Sequence, residues 1–585
     1  MNHWEGNMAK ITRRIALKTG LLGSVAACSS TPTMTAFNAL STESSGVFAH
    51  GIASGDPAHD SVVLWTRISF PGEELPANVS VDMELATDSE FSTIVATQNL
   101  ATGPERDWTV KCIADSLMPG TSYFYRFKTG GTASPTGQTK TLPEGNISEA
   151  NFAIISCSNY PFGYFNVYDQ IARQDNLDAV IHLGDYIYEY GPDGYGGEAG
   201  EALNRPHNPA NEIISLNDYR QRHSQYKSDP SAQAMHAVHP FIAIWDDHEL
   251  TNNSWKDGAQ NHQGDTEGNW EERKQAALRA YYEWMPVRDP APGRSAEHLF
   301  KAYSYGDLLT LAAIETRLTA RSAQFEYDEI TPQLQSPEDI ENFRTNTLWD
   351  PSREMLGQAQ IDYLDRSFRQ SKQAGQPWRL IANQVIMAEV TAPDLTPHVT
   401  EEEIIELEKQ WSPARAFIQF STLGLPTNLD AWDGYPAARE RFYDTLKNAD
   451  AEDGLIVLTG DTHTWWANDL NDRNGTHMGV ELGVHSVTSP SPYRKSFLGG
   501  KGAEYALLTN RKNKTVRYLS GENHGFIYLT VTPESAVAHF KAVDTVESQQ
   551  YSAFDKVAFT VKRNAKGKAR FTDADGLTFK ENFLF

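Results

Sequence analysis

Short apolar runs recur along this chain, and five of them stop at residues able to hold a ligand. Phe152-Ala153-Ile154-Ile155 leads into Ser156-Cys157-Ser158-Asn159, and Ala179-Val180-Ile181-His182-Leu183 leads into Gly184-Asp185-Tyr186-Ile187-Tyr188. Phe241 to Trp245 leads into Asp246-Asp247-His248-Glu249, Leu380 to Ala382 into Asn383-Gln384, and Leu455 to Leu458 into Thr459-Gly460-Asp461-Thr462-His463. Continuous apolar runs of this length read as strands buried on both faces of a sheet. In an open α/β sheet, ligands bind in the crevice outside the carboxyl ends of the strands. Five such ends predict that Cys, Asp, Tyr, Asn and His side chains converge on one metal site.

Between the runs the period changes. Phe165, Tyr168, Ile171 and Ala172 share one helical face, so the first two strands frame a β-α-β unit and are expected to be parallel. One helix is predicted from Leu216 to Ala237, and another from Met355 to Lys372. Leu308 to Ile314 is a further strand, ending in Glu315-Thr316-Arg317, and Phe526 to Val531 pairs with Ala536 to Val543 as a late hairpin. Glu401 to Lys409 reads as a solvated acidic helix, and the tail beyond Ser552 has no assignment. Residues 191–215, rich in Gly, Pro and Asn at their start, and 322–352 read as polar insertions that shape access to the site.

Residues 47–143 have a different character. Val62 to Arg67 and the alternating Val81 to Ala86 predict strands, and the turn and alternating aromatics from Leu117 to Arg126 resemble the tyrosine corner of a fibronectin-III-like sandwich. Gly51 to Pro57 reads as a loop in which Asp56 makes a turn. The catalytic domain is expected over 150–585.

The chain has 585 residues, too many for one core. Its 51 basic and 76 acidic side chains give a formal charge of -25, which excludes a phosphate-driven nucleic-acid groove. An anionic substrate meets repulsion at long range, so bound cations must supply the local attraction. Cys28, Cys112 and Cys157 are too few for a disulfide framework. Cys112 reads as a small buried hydrophobe, whereas Cys157 stands at a strand end.

Residues 1–28 carry a leader. Thr12-Arg13-Arg14-Ile15-Ala16-Leu17-Lys18 resembles a twin-arginine export signal, followed by a short apolar stretch from Thr19 to Ala27 that is too brief to span a bilayer. Val25-Ala26-Ala27-Cys28 resembles a lipobox, so lipidation of Cys28 and plain cleavage near Ala27 are both open. Residues 29–46 then form a tether.

Carboxylates, an amide and a phenolate suit hard cations such as Ca²⁺ or Fe³⁺ better than a closed zinc site. Neighbouring metals can polarise a phosphoryl oxygen and generate hydroxide near neutral pH, and a His near the leaving oxygen can donate its proton. His248, beside two acids after a buried strand, is the candidate donor. Arg317 either clamps a phosphate oxygen or pairs with a carboxylate.

The blocks Gly-Asp-x-x-Tyr at 184–188, Asp-Asp-His-Glu-x-x-Asn-Asn at 246–253 and Gly-Asp-Thr-His at 460–463 resemble the metallophosphoesterase superfamily, and within it the PhoD-type alkaline phosphatases. Gly51 to Pro57, Tyr282 to Arg288, Asn383-Gln384-Val385 and Trp432 to Tyr435 extend the resemblance over nearly the whole chain. It implies an α/β catalytic domain of two facing sheets flanked by helices, preceded by a fibronectin-III-like β-sandwich. It implies export through the twin-arginine machinery and a site with Fe³⁺ and Ca²⁺. Cys157, Asp185 and Tyr188 would hold iron, with Asp185 bridging toward calcium. Asp246 or Asp247, Asn253 and Asp461 would hold calcium, with His463 close by, and the wider superfamily's Gly-Asn-His favours Asp247. Asp185, His248 and His463 are the catalytic candidates, and Asn383 and Arg317 the candidate phosphate contacts. Cys157 stands where the wider superfamily has Asp-x-His, and Asp461 where a His is usual. Both departures point away from a dizinc or dimanganese centre.

The function expected is a secreted, metal-dependent phosphomonoesterase, with some diesterase activity, serving phosphate acquisition. A dedicated phosphodiesterase on the same fold is the first alternative. The second is a surface-binding lipoprotein whose site has decayed.

Overall fold

A computed structural model describes residues 46–70, 72, 75–410, 414–493, 510 and 512–572. The leader and the Cys28 lipobox lie outside the described residues. Among the described residues two large sheets face each other. The ten-stranded sheet runs, in spatial order, Ala569–Thr572, Ala553–Arg563, Ser535–Val543, Gly525–Val531, Ala150–Ile155, Ala179–His182, Pro240–Ala243, Ile52–Gly55, Val62–Arg67 and Thr109–Ala114. The seven-stranded sheet runs Lys301–Tyr305, Leu309–Ala313, Trp378–Ala382, Leu455–Thr459, His477–Gly483, Trp465–Asn471 and Val516–Ser520. The tail left unassigned by the sequence thus supplies the last two strands at one end of the ten-stranded sheet, with Ala569–Thr572 at its edge.

Every residue of the central strands is buried, as their unbroken apolar runs require. Successive side chains alternate between faces, and the two inner faces build one core. Phe152, Ile154, Ile181 and Ile242 from the first sheet meet Leu311, Leu380, Ile456 and Leu458 from the second. Helices Asn166–Ala172, Leu216–Lys227 and Trp270–Trp284 send Tyr168, Tyr219 and Tyr281 to the outer face of the first sheet. Gly357–Gln373 and Pro436–Asn448 cover the second with Leu364, Phe368 and Phe442. Ala150–Ile155, Ala179–His182 and Pro240–Ala243 are parallel, as are Leu309–Ala313, Trp378–Ala382 and Leu455–Thr459. All five strand ends singled out above therefore lie at the carboxyl edges of the two sheets.

One expectation needs correction. The helix foreseen from Leu216 to Ala237 is two, Leu216–Lys227 and Pro230–Val238, because Asp229 caps the second and Pro230 cannot continue the first. The N-terminal region is β-rich, and it has its tyrosine corner: Tyr123 Oη accepts the Met118 N–H at 2.9 Å. Two layers share one core as a sandwich, Leu64 and Val110 from one and Val81, Met83 and Phe127 from the other, and one of those layers continues into the catalytic sheet. Val79–Ala86, Ile94–Thr102, Ser122–Thr129, Thr132–Ala133 and Gly137–Lys140 form one sheet, whereas Ile52–Gly55 pairs in parallel with Pro240–Ala243 and carries Val62–Arg67 and Thr109–Ala114 into the catalytic sheet. An alternating pattern tells which face of a strand is buried but not which neighbour it pairs with. Cys112, in one of these strands, is a buried thiol whose pKa burial raises to about 12, in keeping with a packing role.

Candidate metal centre

The strand ends reach the site through tight backbone. Cys157, Asp185, Asn253, Asp461 and His463 all adopt positive φ, between 50° and 60°. Non-glycine residues held there are strained and cluster at functional sites. Gly184, at φ 108°, lets two of the loops touch, since a Cβ at that position would lie 2.5 Å from the Asp246 Cβ. Cys157 N–H donates to the Gly184 carbonyl at 3.1 Å and Ser158 N–H to the Asp185 carbonyl at 2.9 Å, locking the first two loops together.

Cys157 Sγ, one Asp185 oxygen and a His463 ring nitrogen lie within 4.8 Å of one another, as do ligand atoms of Asp185, Asp247 and His248. Asp185 belongs to both groups and joins them. Tyr188 Oη stands between: it donates to Asp185 Oδ2 at 3.2 Å, lies 3.3 Å from His463 Nε2 and accepts from Ser489 Oγ at 2.9 Å. Asp246 adds a carboxylate whose Oδ1 accepts from Arg317 Nε at 2.5 Å. Asp247 is tied instead to backbone, with Oδ1 accepting from His248 N–H at 3.0 Å and Oδ2 from Asn253 N–H at 2.5 Å. Asp461 is half-buried, and its charge is felt together with those of Asp246 and Asp247. Asn253 is buried, its amide 3.3 Å from Glu326 Oε1 in the second insertion. The first insertion closes the other side, where Tyr195 stacks on His463 at 6.4 Å.

Charge is badly out of balance here. Burial, reinforced by Asp247 and Asp246, pushes the Asp185 carboxyl well above its usual range despite His248. Burial raises Asp246 to about 6 against the pull of Arg317, and raises the Cys157 thiol and the Tyr188 phenol as well. Asp185 Oδ1 and Asp246 Oδ2 are enclosed with no hydrogen-bond partner. Buried carboxylates without partners cost several kcal/mol each, on the order set by an unpaired ion, unless a cation joins them. A thiol, a phenol, an imidazole and carboxylates gathered around such oxygens fit metal ions. Burial keeps His463 neutral, with a pKa of about 3, and its Nδ1 lies 3.2 Å from the Pro490 carbonyl, so Nε2 is the ligand-capable nitrogen.

The two candidate phosphate contacts are engaged by protein. Arg317 pairs with carboxylates through two nitrogens, Nε with Asp246 and Nη1 with Asp430 at 2.8 Å, while Nη2, 3.8 Å from Asp247, is enclosed with no hydrogen-bond partner. Asn383 is fully buried, its Nδ2 donating to the Val385 carbonyl and its Oδ1 accepting from Trp432 Nε1 at 3.1 Å, so the amide braces a turn. Asp56 takes no part in the cluster, being bound by Lys301, Tyr303 and the Arg288 N–H.

Residues not foreseen from the sequence support the candidate ligands. Glu249 accepts the N–H groups of Asp185 at 3.0 Å, Tyr186 at 2.6 Å and Asp246 at 2.9 Å, fastening two ligand loops with one carboxylate. Glu189 bonds His248, and Ser489 the Tyr188 phenol. The available signal was an acid adjoining each motif inside an apolar run, as in Ile187-Tyr188-Glu189-Tyr190.

Two facing sheets carry a thiol, phenol and carboxylate cluster at their carboxyl edges, and this α/β protein is fitted to hold metal ions. The family model of PhoD-like phosphatases matches residues 152–540, and that of their N-terminal domain matches residues 34–143. Alkaline phosphatase D of Bacillus subtilis (strain 168) is 33% identical over 545 residues, 91% of this chain and 83% of the relative. A solved structure of PhoD superposes with a TM-score of 0.71 at 29% identity, covering 94% of this chain and 97% of that one. The chain belongs to the PhoD-like phosphatase family, and it is a phosphoric ester hydrolase.

Proposed function

We propose that this phosphatase is exported, depends on iron and calcium, and releases phosphate from monoesters in preference to diesters. The observation that carries the metal dependence is the pair of enclosed, unpartnered oxygens, Asp185 Oδ1 and Asp246 Oδ2, beside the Cys157 thiol and Tyr188 phenol. Cys157, Asp185 and Tyr188 would hold Fe³⁺, which favours thiolate and phenolate. Asp185, Asp246 or Asp247, Asn253 and Asp461 would hold Ca²⁺, which favours oxygen. When bound, these cations would offset the carboxylate charge, polarise a phosphoryl oxygen and acidify a water molecule. The leader's Arg13-Arg14 supports export by the twin-arginine route to the periplasm or beyond, with Cys28 available for lipidation. No helix among the described residues is long and apolar enough to cross a membrane.

The chain's own residues then have separate tasks. Arg317 holds Asp246 and offsets its charge. His248 carries the proton: its Nδ1 is engaged by Glu189 at 2.7 Å, and a ring nitrogen lies within 4.8 Å of Asp185 and Asp247 oxygens. A water so acidified would supply the attacking oxygen and release its proton to solvent, and as the ester P–O bond breaks the Nε2 proton of His248 would pass to the departing oxygen.

Hydrolysis of 4-nitrophenyl phosphate and its bis-ester, with and without a calcium chelator, tests this reading. Calcium-dependent preference for the monoester is expected. Preference for the bis-ester would make the chain a phosphodiesterase, and turnover unaffected by chelation would remove calcium from the site.

A further inference from the structure

A sixth strand ends at the rim of the metal cluster. His477–Gly483 runs parallel to Leu455–Thr459, with Gly483 beside Thr459, so residues 484–491 leave the sheet at the edge that carries Asp461. Thr488 and Ser489 are buried, and this segment braces the loops of three candidate ligands. The Val487 N–H donates to the Ser156 carbonyl at 2.9 Å, and the Thr488 and Ser489 N–H groups donate to the Cys157 carbonyl at 3.4 and 3.5 Å. Thr488 Oγ1 donates to the Asn159 carbonyl at 2.7 Å, pinning the same loop two residues on. The Pro490 carbonyl lies 3.2 Å from His463 Nδ1. Ser489 Oγ donates to Tyr188 Oη at 2.9 Å and lies 3.3 Å from the Cys157 carbonyl. Among these contacts the bond to Tyr188 differs in kind, because it falls on a ligand atom. A serine hydroxyl has one proton to give, and of its two acceptors the phenol oxygen is the nearer. A phenol that binds a metal loses its own proton, so its oxygen then only accepts. Asp185 Oδ2, 3.2 Å from that oxygen, is ionised when it holds metal and has no proton to offer.

We infer that Ser489 is a positioning residue for the iron side of the cluster: its hydroxyl donates to the Tyr188 oxygen, fixes the direction of the phenol and draws charge from it. The inference rests on the reading of Tyr188 as an iron ligand, and Ser489 acts only through Tyr188. Hydrogen bonds to ligand atoms orient the ligand and tune the metal it holds. A phenolate on Fe³⁺ absorbs visible light by passing charge from ring to metal. A hydrogen bond on its oxygen lowers the ring's filled orbitals and so raises the energy of that band. Loss of the Ser489 hydroxyl must then move the band to longer wavelength, a direction that slack in the fold alone does not impose.

The test is the visible spectrum of iron-loaded protein, with iron content and iron affinity measured alongside, for the parent, Ser489→Ala and Thr488→Val. Thr488→Val removes a hydroxyl from the same segment, one that bonds the Asn159 carbonyl and no candidate ligand's side chain. Ser489→Ala is expected to shift the band to longer wavelength at full iron occupancy and to weaken iron binding by about 10- to 100-fold. Thr488→Val is expected to leave the band in place. An unmoved band in iron-replete Ser489→Ala, or an equal shift in Thr488→Val, would overturn the inference and leave Tyr188 a ligand. A parent that binds no iron, or holds it without such a band, would overturn the reading of Tyr188 and the inference with it. Should Ser489→Ala fail to fold, resonance Raman spectra of the parent in light and heavy water decide between the outcomes. The iron–phenolate vibrations are expected to shift in heavy water, and vibrations unmoved after full exchange would overturn the inference.

Discussion

Asp56 and Asp185 are written almost identically into this chain. Each follows a glycine at the carboxyl end of a buried strand of the same sheet, each has a positive φ, and each is buried. They end in opposite conditions. Asp56 has its charge answered by the protein, with Oδ1 taking Lys301 and the Tyr303 phenol and Oδ2 taking the Arg288 N–H. It latches the N-terminal strands to the catalytic domain. Asp185 has Asp246 and Asp247 for neighbours, an unpartnered Oδ1 and a carboxyl pushed well above its usual range. The lesson is that Gly-Asp at a strand end specifies a buried carboxylate and nothing more. What the opposite strands deliver decides whether its counter-charge is covalently present or must come from solution.

That contrast is sharpest under substitution. Asp185→Asn is expected to lower kcat by at least about 10³-fold, as loss of a group central to transition-state charge would. The same change is expected to leave metal-free protein as stable or more so, because it removes a buried, uncompensated charge. Asp56→Asn is expected to do the reverse, costing about 2 kcal/mol of stability by orphaning Lys301 while kcat of the folded fraction stays within a few-fold. Activity assays and thermal melts on the two variants separate these outcomes, and equal behaviour would break the comparison.

Chelation should follow the same division. Ligands that bind only the folded state stabilise it by about 3–4 kcal/mol at a hundred- to thousand-fold excess over Kd. Stripping metals is therefore expected to lower the melting temperature of the parent and of Asp56→Asn, and to change that of Asp185→Asn little. Parallel melts with and without chelator check this.

Lys227 is the converse case, a buried cation with no carboxylate. Its Nζ lies 2.9 Å from His236 Nε2 and otherwise over the rings of Trp65 and Tyr186, and burial alone drives its pKa well below the ordinary 10.5. The folded protein thus binds fewer protons here than the unfolded chain, so this group's contribution to stability rises with pH up to about 10.5 and is lost as pH falls. Lys227→Met is expected to raise stability at neutral pH by about 1 kcal/mol, with the gain shrinking toward pH 10. Denaturant titrations at two pH values read it, and a gain that grows with pH would contradict the sign.

The smallest effect expected concerns backbone. Gly184→Ala places a methyl 2.5 Å from the Asp246 Cβ at a φ of 108°, whereas Gly145, at 71°, has nothing within 4 Å. Both changes incur the left-handed cost of about 1 kcal/mol, and only Gly184→Ala is expected to reduce activity as well.

Much of this arrangement was legible in the sequence. The strand-end cluster of Cys157, Asp185, Asp247 and His463 was found because buried parallel strands are uniformly apolar and stop abruptly at the rim. Tyr123 was readable through its corner. What could not be read depended on pairing across long distances. Periodicity places Val62–Arg67 in a sheet but not in the catalytic sheet, and it gives Arg317 and Asn383 polar strand ends without saying that Asp430 and Trp432 would occupy them. Glu189 and Glu249 were passed over because an acid beside a ligand motif looks the same whether it faces solvent or grips three N–H groups.

Elemental analysis of the purified parent, Asp56→Asn and Asp185→Asn proteins tests the central claim most directly. Iron and calcium bound in fixed proportion to the parent and to Asp56→Asn, and lost from Asp185→Asn, is the result expected. A full complement of metal in folded Asp185→Asn, or an active parent with neither metal, would contradict it.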